Sequence, residues 1–361
     1  MPERIYNFSP GPATLPYEVL QQAARDIVNF NDTGIGLIEM SHRSKDFMAV
    51  AEETEELLRE ILSIPSNYKV LFLQGGASTQ FAMIPMNLLA GGDKHAVYLN
   101  TGVWAKKAIK EAKLFGNVDV AYSSEESIFD HVPSADDYTI NTDAEYLYFV
   151  SNNTIYGTQF HTFPKTDIML LCDMSSDILS RRIDVSRFGL IFAGAQKNMG
   201  PAGCAVVIIR EDLLDRTPEN VPTMFRYKTH ADKGSMFNTP PCFPIYVIGL
   251  VLKWLKGLGG LAAMEEMNID KAGLLYNAID SSDFYRGHAR KTSRSLMNVP
   301  FTLPTPELEK MFVDEALSLG FNGLKGHRSV GGCRASIYNA FPKEGVERLV
   351  DFMGKFALKN G

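Results

Sequence analysis

Short apolar runs alternate along the chain with longer amphipathic ones. "YKVLFL" (68–73), "HAVYLN" (95–100), "VDVAYS" (118–123), "AEYLYFV" (144–150), "DIMLLCD" (167–173), "LIFAG" (190–194) and "CAVVIIR" (204–210) have strand length and apolar character. Helical spacing marks "PYEVLQQAARDIVNF" (16–30), "SKDFMAVAEETEELLREIL" (44–62) and "GVWAKKAIKEAKLFG" (102–116), and a further helix is expected to open in "ASTQFAMIPMNLLA" (77–90). Strands alternating with amphipathic helices predict an α/β domain with a parallel or mixed sheet. Residues 243–280 read as one or two long helices leading to a smaller C-terminal part. That part holds "RSLMNVPFTLP", a helix from Pro306, "GGCRASIYNA" and a last helix from Lys343.

At 361 residues the chain is long for one core, which points to two domains. A formal net charge of -6, with no Lys/Arg-rich run, offers nothing to nucleic acid or an anionic membrane surface. Cys172, Cys204, Cys242 and Cys333 lie far apart, so neither a disulfide framework nor a structural zinc site is expected. The longest apolar stretch, "FPIYVIGLVLKWLKGLGG", is broken at Lys253, too early to span a bilayer. The N-terminus has no apolar signal region. A reduced, cytoplasmic protein is expected.

Four features carry candidate chemistry. "QGGASTQF" (74–81) places glycines between a strand and a helix start, where backbone N–H groups and the helix dipole suit an anion. A plain strand-to-helix turn has the same sequence, and neither a Walker A nor a G-x-G-x-x-G pattern is present. Trp104, just after a strand, is either a ring-stacking surface or a core residue. Asp173 ends an apolar strand, at the edge where α/β folds bind ligands; it suits a pyridinium nitrogen or a helix cap, and no metal cluster lies near it in sequence. Lys197 sits in "FAGAQKNMGPAG" (192–203), among small residues. A desolvated lysine there is deprotonated readily and can attack an aldehyde. Taken together, the four match the grips that hold pyridoxal 5′-phosphate.

The chain resembles the class V aminotransferases among the fold-type I pyridoxal-phosphate enzymes. "NFSPGPATLP" (7–16), "EMSHRSKDF" (39–47), "GAQKNMGPAG" (194–203) and "GHRSVGGCRASIYNA" (326–340) carry the resemblance, which spans essentially the whole chain. It implies a seven-stranded, mixed and mostly parallel sheet. It also implies an arm at 1–16 packing with the small domain, a cofactor-binding large domain at 17–265 and a small α/β domain at 266–361.

By the same resemblance Lys197 is the Schiff-base lysine and Asp173 the partner of the ring nitrogen. Trp104 stacks on the ring, Ala77, Ser78 and Gln196 bind the phosphate, and Thr154 bonds the ring oxygen or phosphate region. Asn238 and Thr239 reach the phosphate of a neighbouring subunit, so a homodimer is implied. Arg334 clamps the α-carboxylate. His42, Arg43, His327 and Arg328 bind the substrate phosphate or the glutamate side-chain carboxylate. The implied reaction exchanges an amino group between 3-phosphohydroxypyruvate and L-glutamate, giving O-phospho-L-serine and 2-oxoglutarate, in serine biosynthesis. Whether 4-phosphohydroxythreonine, a pyridoxine precursor, is also a substrate stays open.

One departure is notable. Some members carry an arginine in the phosphate loop where this chain has Ser78, which shifts load onto His42 and His327. Other readings compete: a cysteine desulfurase using Cys333, a small-substrate transaminase, a dehydrogenase, or a binding module. Gln196, where desulfurases carry histidine, and the missing G-x-G-x-x-G weigh against the first and third.

Overall fold

The computed structural model describes residues 4–361; the first three residues of the expected arm lie outside it. The apolar runs assemble into one seven-stranded sheet. Its spatial order is Tyr68–Leu73, Ala205–Arg210, Phe188–Gly194, Leu170–Asp173, Leu147–Val150, His95–Asn100 and Asn117–Ser123. Ala205–Arg210 runs antiparallel to both neighbours, and the other adjacent pairs are parallel. The expected α/β sheet is therefore present, mixed through a single strand.

Continuous apolar strands arise because both sheet faces are covered. Val70, Phe72, Val97, Leu99, Leu147 and Phe149 pack on one side with helices Lys45–Leu62 and Cys242–Gly257. The alternate residues Leu71, Leu73, Tyr98, Tyr148, Leu171 and Phe192 pack on the other with helices Gly76–Leu88 and Val103–Ala112. The edge strand Asn117–Ser123 is exposed or half-buried throughout, as expected of a strand with one neighbour.

The long apolar stretch resolves into two helices, Cys242–Gly257 and Gly260–Asp280, bent by 83°. Among the described residues no single helix is long and apolar enough to cross a membrane. Helix Pro306–Ser318 starts where Thr305 Oγ1 accepts the Leu308 N–H at 3.3 Å and proline occupies the first turn, the position where its missing N–H costs least. With helix Lys343–Asn360 and the three-stranded antiparallel sheet Arg286–Gly287, Asn298–Thr302, Cys333–Ser336 it encloses a separate core that includes Phe301, Phe312, Phe321 and Phe352.

Residues near the N-terminus connect this core to the large sheet. Tyr6–Asn7 pairs in parallel with Phe321–Asn322, and Phe8 is buried in the C-terminal core. Tyr338 Oη then donates to the Pro10 carbonyl at 2.7 Å, and the Ala13 N–H donates to the Gln196 carbonyl at 2.9 Å.

Candidate active site

Parallel strands put their carboxyl ends along one edge, and the turns that follow open there. Leu170–Asp173 and Phe188–Gly194 are adjacent and parallel, with Asp173 opposite Phe192. Asp173 therefore ends its strand beside the turn that carries Lys197. The turn is held by Ala195 N–H to Cys204 carbonyl at 2.9 Å and by Met199 and Gly200 N–H to Ala195 carbonyl at 3.1 and 2.9 Å.

A cavity of about 210 Å³ lies at this edge, lined by Gly75, Gly76, Ala77, Ser78, Phe81, Trp104, Asp173, Ser175, Gln196 and Lys197. It falls below the ~300–1,000 Å³ of pockets for drug-sized ligands and suits one substituted ring rather than a dinucleotide. One wall is the start of helix Gly76–Leu88, whose first N–H groups have no partners within the helix. Gly75 makes the entry possible. Its φ is +89°, and a Cβ there would stand 1.9 Å from Thr79 Oγ1.

Asp173 is buried. Both donors of Ser175 go to its Oδ1, the N–H at 2.9 Å and the hydroxyl at 2.5 Å, leaving Oδ2 for a ligand. Burial raises its pKa, opposed by the charge of Lys197 and the Ser175 bonds, while nearby Asp177 adds to the rise. For Lys197, burial lowers the pKa; Asp173 opposes this, and Arg334 reinforces it. A cavity that favours a neutral amine beside a buried carboxyl is the electrostatic pattern of a reactive lysine.

The indole of Trp104 lies 5.3 Å (ring centroid) from Lys197 Nζ and 4.5 Å from Lys107 Nζ. Its Nε1 donates to Thr154 Oγ1 at 3.1 Å, which fixes the ring. The Thr154 carbonyl accepts from Arg334 Nη1 at 3.1 Å, and Arg334 Nε is buried without a partner. A buried guanidinium with an unused donor is an anion site in waiting. Among the described residues no group of three or more His, Cys, Asp or Glu is placed to hold a metal.

Not every expected site residue lines this cavity. His327 and Arg328 line a separate hollow of about 460 Å³ with Lys310, Lys325 and Glu309. His327 nevertheless feels the site: burial first, then Arg334, Arg328 and Lys107, lower its pKa. His42 and Arg43 precede helix Lys45–Leu62, away from the cavity lining, and His42 Nε2 is buried without a partner. Asn238 and Thr239 are also absent from the lining; the Thr239 carbonyl accepts from Gln74 Nε2 at 2.7 Å. Cys333, the candidate desulfurase nucleophile, is fully buried in its strand, and burial pushes its thiol up. That is the environment of an inert cysteine.

Two contributors escaped the sequence reading. Ser175 was visible only as part of "DMSSD", where an Asp two residues before a Ser is a local-turn signal. Gly11 lies against Lys197: a Cβ there would come within 3.2 Å of Lys197 Cγ. The "SPGPA" stretch marked a turn but not its target, over 180 residues away.

The profile of Aminotransferase class-V matches residues 5–349. A phosphoserine aminotransferase of Desulfotalea psychrophila is 69% identical over 360 residues, covering 100% of this chain and 99% of that protein. The solved phosphoserine aminotransferase from Bacillus circulans subsp. alkalophilus superposes with a TM-score of 0.96 at 52% identity, over 99% of each chain. A solved PLP-bound phosphoserine aminotransferase from Trichomonas vaginalis gives 0.93 at 41% identity, covering 97% of this chain and 100% of that one. With the lysine, aspartate and helix start converging on one cavity, and a family profile spanning nearly the whole chain, the protein belongs to the class-V aminotransferase family.

Proposed function

We propose that the protein catalyses reversible amino transfer between L-glutamate and 3-phosphohydroxypyruvate, yielding 2-oxoglutarate and O-phospho-L-serine, with pyridoxal 5′-phosphate as cofactor. The observation that carries this reading is the meeting of Lys197, Asp173 and a helix N-terminus in one small cavity. Full-length relatives carrying that activity in their names support the substrate pair.

The residues present fit the cofactor. Gly76, Ala77 and Ser78 offer N–H groups at a helix start to its phosphate, with Gln196 beside them. Trp104 packs on a ring face, and Thr154 orients the indole. Asp173, with Oδ2 left free by Ser175, would hold a proton on the ring nitrogen. Bound there, the cofactor supplies an aldehyde that accepts the amino group and a ring that draws electrons from the substrate α-carbon.

Lys197 has two tasks. Its amine, whose pKa burial lowers, would provide the covalent attachment. When released, Nζ takes the α-proton and gives it back in the course of transfer. Arg334 offers its fork to the α-carboxylate, which satisfies the orphaned Nε. His327, Arg328, His42 and Arg43 grip the phosphate or the distal carboxylate. Asn238 and Thr239 act in the neighbouring subunit of a homodimer, which accords with their lying outside their own chain's cavity lining. Four unpaired cysteines fit a reduced, cytoplasmic setting.

A half-reaction panel tests the proposal. The yellow holoenzyme is expected to lose its visible absorbance with L-glutamate or O-phospho-L-serine, and not with alanine or cysteine. Bleaching by alanine or cysteine as readily as by phosphoserine overturns it.

A further inference from the structure

A small hydrophobic cluster packs behind the Trp104 wall of the site, and its core residues belong to none of the grips described above. Phe129, Ile155 and Tyr156 are buried together, and Val103, Trp104 and Val330 pack against them. Three functional segments meet here. Val103 and Trp104 open the helix at the ring-stacking wall. Ile155 and Tyr156 directly follow Thr154, and Val330 lies two residues after Arg328. The rings of Phe129 and Tyr156 are 4.8 Å apart.

Phe129 reaches this place through an unfavourable backbone. Ile128 and Phe129 have φ of 54° and 56°, a region that β-branched and bulky residues avoid. Such conformations persist where surrounding contacts over-determine them, and they concentrate at functional sites. The contacts here come from the C-terminal part of the chain. His288 Nε2 bonds the Ile128 carbonyl at 2.9 Å. Arg290 donates its N–H to the Asp130 carbonyl at 2.9 Å and its Nε to Asp130 Oδ2 at 3.0 Å. The Val132 N–H donates to Ser293 Oγ at 3.2 Å. This clasp turns the Phe129 ring toward Tyr156.

The turn bearing His327 and Arg328 is tied internally. The Val330 and Gly331 N–H groups both donate to the His327 carbonyl, at 2.9 and 2.8 Å, and the Gly332 N–H donates to Glu309 Oε2 at 3.0 Å. Val330 packs this turn against the same cluster as Trp104, and Ser329 adds a side-chain hydrogen bond to Tyr156.

We propose that Phe129 is a positioning residue: with Tyr156 it seats Val330, and so fixes the His327–Arg328 turn where it selects substrates with a distal dianion. The selectivity rests on the functional reading above; the seating itself does not. In this view the strained segment orients the anion grip without touching substrate.

Phe129→Leu and Val330→Ala in the holoenzyme test it, the second being a small, half-buried truncation that the fold tolerates. Without substrate, hydrogen exchange at the Val330 and Gly331 amides is expected to quicken about tenfold or more in both variants, with the amides of Phe188–Gly194 unchanged. The preference for 3-phosphohydroxypyruvate over pyruvate is expected to fall about tenfold, through KM for the phosphorylated substrate, with kcat/KM for pyruvate nearly constant. Unchanged exchange in both variants overturns the seating. Equal losses toward both oxo acids overturn the selectivity. A wild-type enzyme that does not prefer the phosphorylated oxo acid overturns the functional reading instead, and the exchange result still decides the seating.

Discussion

Ser175 holds Asp173 from one side only, placing its N–H at 2.9 Å and its hydroxyl at 2.5 Å on the same carboxylate oxygen. The hydroxyl also accepts the Gly194 N–H at 3.0 Å, which joins the aspartate strand to the strand leading into the lysine turn. Burial pushes the Asp173 pKa up and these bonds pull it back. Ser175→Ala removes a bond to the Asp173 carboxyl, worth about 1–3 kcal/mol. The expected outcome is a kcat lowered about tenfold or more with substrate KM little changed, measured by steady-state kinetics.

Asp173→Asn removes the charge and keeps the shape. Stabilisation of the protonated ring nitrogen is lost, so kcat is expected to fall by about three orders of magnitude, or ~4 kcal/mol. Loss of less than about tenfold (~1.4 kcal/mol) would assign Asp173 a purely structural part.

Lys197→Ala is expected to abolish turnover while cofactor still binds noncovalently. Borohydride treatment followed by mass spectrometry should then add no cofactor mass to the variant, whereas the wild type gains it at Lys197. Near-normal kcat in Lys197→Ala would refute its role.

The pH dependence follows from His327. Its pKa is lowered by burial and by the charges of Arg334, Arg328 and Lys107, so it is neutral above neutral pH in the free site. A phosphate dianion reverses that field and favours the imidazolium. Binding is then coupled to proton uptake, and KM for the phosphorylated substrate rises with pH. Above about pH 6.5 the substrate itself is largely dianionic, its second pKa being about 6. His327→Asn is expected to flatten the KM profile between about pH 6.5 and 8.5; a wild-type profile already flat there would exclude the coupling.

Lys271 offers a test of stability rather than catalysis. It is buried, and its Nζ donates to the carbonyls of Ile337, Tyr338, Asn339 and Phe341 at 3.1, 2.7, 3.3 and 3.2 Å. Lys271→Met removes these bonds, and although the Tyr338 carbonyl keeps the Phe341 N–H at 2.9 Å, the loss is expected to cost about 2 kcal/mol or more, readable by denaturant unfolding. Burial lowers the Lys271 pKa from 10.5 to about 7. Between those values the unfolded chain binds the extra proton, so wild-type stability rises with pH relative to the variant, by up to ~1.4 kcal/mol per unit. A pH-independent difference would mean that the carbonyls hold the ammonium charged throughout.

The strands of the large sheet were legible because burial on both faces leaves an uninterrupted apolar run, as in "LIFAG" and "CAVVIIR". The edge strand Asn117–Ser123 was legible as a short apolar run following a helix, but its exposure was not. Whether residues 243–280 formed one helix or two was not, because both halves are apolar enough to be buried. Antiparallel entry of Ala205–Arg210 left no mark on its composition, since hydrogen-bond direction does not alter which side chains are buried.

The sequence by itself determined the residue types on which the chemistry depends: a lysine among small neighbours, an aspartate at a strand end, glycines before a helix, and His-Arg pairs. These are local facts, set by spacing and side-chain chemistry. Tertiary structure alone decided which of them share a cavity. It placed Asp173 and Lys197 at adjacent strand ends, brought Gly11 against the lysine, and put His327 and Arg328 in a neighbouring hollow tied to Trp104 through Val330 and Phe129. Such contacts join residues far apart in the chain, and only the packing of the two cores selects them. Side-chain pKa values, which depend on burial and on charges brought near by folding, are decided at the same level.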